Sequence, residues 1–153
     1  MSLRVAAHGL AADIPPGWDA RIFRRPPGSG ETTHPVLHAS TFALPAQRGD
    51  FGSGAVELMG PTDIFVAIVE YHPDAASTPM FAPRVFPRSL VAESFHHMAL
   101  QRTIPGQGGI QVFCTHRGRA FCVYVVLGSN VRRHQLVPLV NRLLAGVDIG
   151  APA

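Results

Sequence analysis

Lysine is absent: all 13 basic residues are arginine, set against 10 acidic ones. This holds the pI near 9.5 while the formal net charge is only +3, a profile that reads first as GC-rich coding bias. Arg21, Arg24 and Arg25 lie far in sequence from Arg117 and Arg119, and nucleic-acid binding needs a concentrated basic surface interleaved with aromatics. A nucleic-acid partner is therefore disfavoured. Cysteine is nearly absent too. Cys114 and Cys122 alone can build neither a disulfide framework nor a four-thiolate metal site. No run of about 18 apolar residues occurs, and the N-terminus reaches Arg4 and His8 before a signal-peptide core could form. The sequence thus predicts a cytoplasmic protein with no membrane association.

Charged residues are few, at 15%, and hydrophobic ones make up 46%. That balance buries enough apolar surface to offset chain entropy, which excludes wholesale disorder. A length of 153 residues suits one domain over 1–153, with frayed ends at about 1–3 and 150–153.

What is plentiful is punctuation, 14 Pro and 15 Gly, dividing the chain into short elements. Residues 10–14 and 19–25 flank Pro15-Pro16-Gly17-Trp18; Pro16-Gly17 suits the centre of a type II turn, so a hairpin is expected there. Residues 35–44 (PVLHASTFAL) read as the next strand. Ser53–Met59 reads as a short helix capped by Ser53 and stopped by Gly60-Pro61. Residues 64–71 (IFVAIVEY) are nearly all apolar, as in a central strand covered on both faces. Residues 72–87 read as an extended surface loop, and 88–101 as a helical turn leading into a strand at about 98–104.

The clearest signal is 110–127, two apolar runs around Arg117-Gly118. With those two residues as the loop, positions summing to 235 pair. One face then carries Ile110, Val112, Cys114, Phe121, Val123, Val125 and Leu127, all apolar. The other carries Gln111, Phe113, Thr115, Ala120, Cys122, Tyr124 and Val126, mixed but largely apolar. This register puts the two cysteines on opposite faces, so they should not pair; a slip to a three-residue loop would bring them together. After Ser129, Leu136, Leu139, Val140, Leu143 and Val147 recur at helical spacing. Pro138 argues for a regular helix beginning near Leu136. The resulting expectation is an α+β fold, helices packed on an antiparallel sheet of at least four strands.

The motifs Ile14-Pro15-Pro16-Gly17-Trp18, Arg117-Gly118 before an apolar strand, and the amphipathic segment 136–149 together resemble PsbP-like domains, nearest in composition to the LpqN-type proteins of actinobacteria. The resemblance implies an α/β/α sandwich and a binding or assembly role, and it brings no catalytic residue set. The chain departs from LpqN-type members in lacking a lipoprotein signal.

Candidate chemistry is sparse. His34 and His38 are four residues apart in a strand, about 13 Å, too far to share one ion. His96 and His97 are adjacent, and no acid completes a metal set. Cys114 with His116 lies on the apolar face, where a thiol is an inert hydrophobe. Ser53 in Phe51-Gly52-Ser53-Gly54 lacks the first glycine of a nucleophile elbow. The Gly-rich stretches 49–54 and 106–109 match no phosphate-binding fingerprint. No metal or cofactor is therefore expected, and the leading expectation is a non-enzymatic binding or assembly module. Its interaction surface would centre on Phe113, Tyr124 and Val126, covered by a second copy in a homodimer or by another protein, unless 53–59 or 88–99 covers it instead. The alternative is a small enzyme or ligand-binding protein whose pocket gathers His96, His97, Arg102 and Gln107.

Overall fold

The computed structural model describes residues 3–151. Its longest hairpin pairs β6 (Gly108–His116) with β7 (Arg119–Leu127), and every partner sum is 235, from Gly108↔Leu127 to His116↔Arg119. Arg117 and Gly118 take φ of 52° and 75°, the two left-handed positions of a type I′ turn that matches strand twist. β7 also pairs with β5 (Ile64–Glu70), which pairs with β4 (Val36–Ser40) and through it with β3 (Asp19–Phe23). The five strands run in the order β3-β4-β5-β7-β6, all neighbours antiparallel.

A second sheet has the order β1-β2-β8. β1 (Leu3–Ala7) and β2 (Leu10–Ile14) join at His8-Gly9, with φ of 53° and 77°, another type I′ turn. β8 (Val147–Ile149) returns along the other edge of β2. The turn at Pro15–Trp18 forms as its composition requires: Trp18 N donates to Pro15 O at 3.2 Å and Gly17 has φ of 86°. The strands beside it do not make a hairpin, however. Both edges of β2 are already filled, by β1 and β8, so this turn carries the chain from one sheet to the other.

The helix α1 spans Arg133–Ala145, entered through a 3₁₀ turn at Asn130–Arg132. It starts earlier than Leu136 because Pro138 is exposed, so the carbonyl its missing N–H leaves free can be hydrated. One face of the five-stranded sheet is covered jointly by Leu136, Val140 and Leu143 of α1, by Leu10, Ala12, Ile14, Val147 and Ile149 of the small sheet, and by Phe86 and Phe95. The opposite face buries Phe65, Ala67, Cys122, Tyr124 and Val126 beneath Ala55, Val56 and Leu100.

These findings overturn the α+β, α/β/α expectation. Eight strands in two antiparallel sheets and a single α-helix are present among the described residues, and the second face is covered by irregular chain. Smaller expectations change with it. Ser53–Met59 holds only a 3₁₀ turn at Val56–Leu58, and its entry is held by Glu57, which accepts from Gly54 N, while Ser53 caps nothing. Residues 72–87 form 3₁₀ turns at Pro73–Ser77 and Pro79–Phe81 and bury Phe81 and Phe86. No strand forms at 98–104; turns at Ala92–Ser94 and His97–Ala99 stand there. Of the ends expected to fray, Leu3 begins β1 and Gly150 N donates to Gly9 O; residues 1, 2, 152 and 153 lie outside the described residues.

Arg119 joins the two sheets. Its Nε and Nη2 donate to the two carboxylate oxygens of Glu70 at 2.9 and 2.6 Å, and its Nη1 donates to Gly9 O at 2.9 Å and Gly150 O at 3.3 Å. Both side chains are below 10% exposed. Removing one partner of such a pair strands the other charge. Arg119→Met should therefore lower stability by about 3–5 kcal/mol in equilibrium urea unfolding. Arg4→Met, which breaks only the exposed contacts with Asp13 and Asp148, should cost under about 1 kcal/mol. Equal losses would remove Arg119 from its joining role.

Candidate functional site

The four residues expected to share a pocket do not converge. Gln107 is buried and its side-chain amide donates to Val56 O at 2.8 Å. His96 and His97 are exposed. Arg102 is exposed, 3.7 Å from Glu57, and with Ser53, Gln101 and Tyr124 it lines a cavity of about 300 Å³.

The expected interaction face is also corrected. Tyr124 and Val126 are 2% and 1% exposed, covered within the chain by the segments around Ala55–Val56 and Leu100. Tyr124 accepts a hydrogen bond from Gln101 N at 2.8 Å through its hydroxyl, and its ring meets Phe51 edge-on at 5.5 Å. Of the three residues, Phe113 alone remains half-exposed, packed edge-on against Phe81 at 5.4 Å.

Phe113 belongs to the outer strand β6, and the exposed feature there is the strand edge. At one end Gly109 and His96 exchange two backbone hydrogen bonds of 2.9 Å; at the other, Thr115 N donates to Pro83 O at 2.7 Å. Both contacts point away from β7, and the two-residue period of a strand aims the N–H and C=O of Gln111 and Phe113 the same way. Those groups have no backbone partner among the described residues. The chain linking the two blocked ends carries the apolar residues Val85 and Val91, flanked by Met80 and Met98, all between 57% and 81% exposed. An unpaired strand edge is a template for an added strand.

The groups with chemical potential are locked instead. Burial pushes the Cys114 thiol up to about 11, and burial together with Cys114 pushes Cys122 up to about 12. Both remain thiols at neutral pH, unpaired and on opposite faces. His38 lies fully buried between Phe23 and Phe65, at ring distances of 5.0 and 4.9 Å. Its Nδ1 accepts from Arg48 Nε at 2.8 Å, so its proton sits on Nε2, 2.7 Å from Asp50 O. No group of three metal-ligating side chains that could hold an ion occurs among the described residues. Among the described residues no helix is long and apolar enough to cross a membrane. No family model, curated protein or solved structure matches the chain.

Burial, the largest influence, holds His38 down to about 4, from an ordinary value of 6.5. The unfolded chain therefore takes up this proton first as pH falls. The stability His38 contributes is complete above 6.5 and is lost as pH drops towards 4, about 3 kcal/mol in all. Its ring carbon resonance should titrate near 4, and urea midpoints should fall across that window; a His38 midpoint near 6.5 would contradict the locked geometry. Cys114 and Cys122 should resist iodoacetamide in the native state and react only after unfolding, as followed by mass spectrometry.

Proposed function

We propose that the protein is a non-enzymatic binding module that takes a short extended segment of a partner protein onto the open edge of β6. The observation that carries this reading is the pair of unpartnered, outward-directed residues Gln111 and Phe113 between two blocked ends. Four backbone groups there can be answered by a partner strand. A cytoplasmic setting is part of this reading, and among the described residues no helix is long and apolar enough to cross a membrane.

The geometry favours a foreign segment over a second copy. His96 and Pro83 occupy the edge opposite Gly109 and Thr115, six residues apart, or roughly 20 Å at about 3.4 Å per residue. Full pairing of β6 with its own copy would drive the partner's strand through both blocks. A segment of about three residues entering and leaving at an angle avoids them.

Selection of extended, valine-rich peptides from a display library, followed by amide chemical-shift mapping, tests this directly. Bound peptides should shift residues 109–115 and the flanking strap. Gln111→Pro removes one outward N–H, a change an edge strand tolerates, together with the side-chain bond to Ala99 O; Gln111→Ala loses only that bond, so the Pro variant should abolish binding where the Ala variant keeps it. Peptides that bind the Gln111→Pro variant equally well would refute the proposed edge.

A further inference from the structure

Beyond the Pro83 block the chain passes from the edge of β6 to the face that carries α1, where Phe86 joins the core. Residues 84–89 and His116 line a groove of about 510 Å³ there. Its apolar part is the buried Phe86 and the exposed Val85. Its charged part is of one sign: Arg84, Arg88 and His116 line it, and no Asp or Glu does among the described residues. None of the ion pairs among the described residues uses Arg84, Arg88 or Arg117. Burial first, then Arg88 and Arg117, hold the His116 ring below its ordinary value, so the charges acting on that ring are all positive.

Arg88 is fixed in place. Its Nη1 donates to Leu144 O at 3.0 Å and to Val147 O at 2.6 Å, at the end of α1 and the start of β8, and its guanidinium lies 5.2 Å from the centre of the Phe86 ring. The residue is nonetheless exposed, and its Nε and Nη2 have no hydrogen-bond partner among the described residues. Nε and Nη2 form the edge with which Arg119 holds both oxygens of Glu70. We propose that this groove takes an acidic, otherwise apolar segment of a partner polypeptide, with a carboxylate on the Nε–Nη2 edge of Arg88 and an apolar side chain against Val85. A guanidinium already oriented, with that edge free, matches a carboxylate bidentately, and a groove bordered only by cations is complementary to negative charge. Nucleic acid fits less well, because Phe86 is buried and gives bases no stacking platform. An anionic bilayer is attracted by charge and apolar area alone and has no use for one guanidinium held in a single orientation. The proposal goes beyond strand addition at Gln111 and Phe113 and does not rest on it.

The test uses two end-capped hexapeptides, one alternating valine with glutamate and the other valine with glutamine, titrated into the full chain at neutral pH and constant ionic strength and followed by NMR. The glutamate peptide should bind about tenfold tighter or more, as one charge-assisted pair provides, and it alone should shift the His116 ring, the Arg88 Nε and the backbone at 84–89. Arg88→Gln should bring the two peptides to near-equal affinity. Val85→Glu, at an exposed position, should abolish the preference by placing a carboxylate in the groove; should Arg88→Gln fail to fold, this comparison still decides. Gln111→Pro should keep the preference in full. A preference that Gln111→Pro removes and Arg88→Gln keeps belongs to the β6 edge and overturns the groove. The proposal is equally overturned if the two peptides bind wild type alike, if Val85→Glu keeps the preference, or if phosphatidylglycerol vesicles capture the chain while the glutamate peptide does not bind.

Discussion

A guanidinium taken out of water must have its N–H groups answered, and Arg119 at the start of β7 finds its partners in three separate parts of the chain. Glu70 closes β5, Gly9 sits in the β1–β2 turn, and Gly150 follows β8. The pair is nearly inaccessible to solvent, so its geometry is enforced: an unmet donor there would cost about 1–3 kcal/mol or more. Because one side chain reads the positions of the two type I′ turns and the last strand together, the small sheet cannot slide on the large one without breaking it.

The two faces of the five-stranded sheet are buried by different means, and the difference is chemical. The face under α1 and the small sheet is apolar along both β6 and β7, and regular elements with satisfied backbones can lie on it without further partners. The irregular stretch that joins them there, around Phe86 and Phe95, has its backbone answered from α1, where Asn141 exchanges two hydrogen bonds with Leu90, because N–H and C=O groups of irregular chain need partners. The second face supplies those answers. Thr115 donates to Phe81 O, Gln111 to Ala99 O, His38 to Asp50 O, and the Tyr124 hydroxyl accepts from Gln101 N. The polar residues set among the apolar ones are what allow loops to serve as the cover.

The late hairpin was legible to the residue, because Arg117-Gly118 fixes the turn and the apolar alternation fixes the register. β5 was legible from its continuous apolar run, with both faces buried. The mixed face of the hairpin calls for a cover, and where the leading expectation was a second copy or another protein, the structure supplies the alternative, the segment 53–59 through Ala55 and Val56, together with Leu100. Its signal lay in Thr115, Gln111 and Tyr124, polar groups in register on one face, which point to loop backbones packed above them. β8 was missed since it is short and pairs with β2 from the far end of the chain; β1, although joined to β2 locally through His8-Gly9, was missed because it is short and largely exposed. The false hairpin at Pro15–Trp18 shows the limit of local reasoning, for the turn was right and the pairing was decided by which edges were already taken.

The two outer strands of the large sheet manage the hazard of an open edge differently. β3 carries Asp19 and Arg21, charges that discourage edge-to-edge association. β6 carries no Asp, Glu, Lys or Arg along 108–116, and its protection is instead mechanical: one length of chain is pinned to it at Thr115 by Pro83 and at Gly109 by His96. Such a strap blocks the long, flat pairing that leads to aggregation, because any strand longer than the gap collides with it. It leaves the centre of β6 unpaired at the same time. An edge closed at both ends and open in the middle leaves no room for full pairing with a copy of itself, so on the proposed reading the same strap that guards the edge would also set the length of the segment it takes.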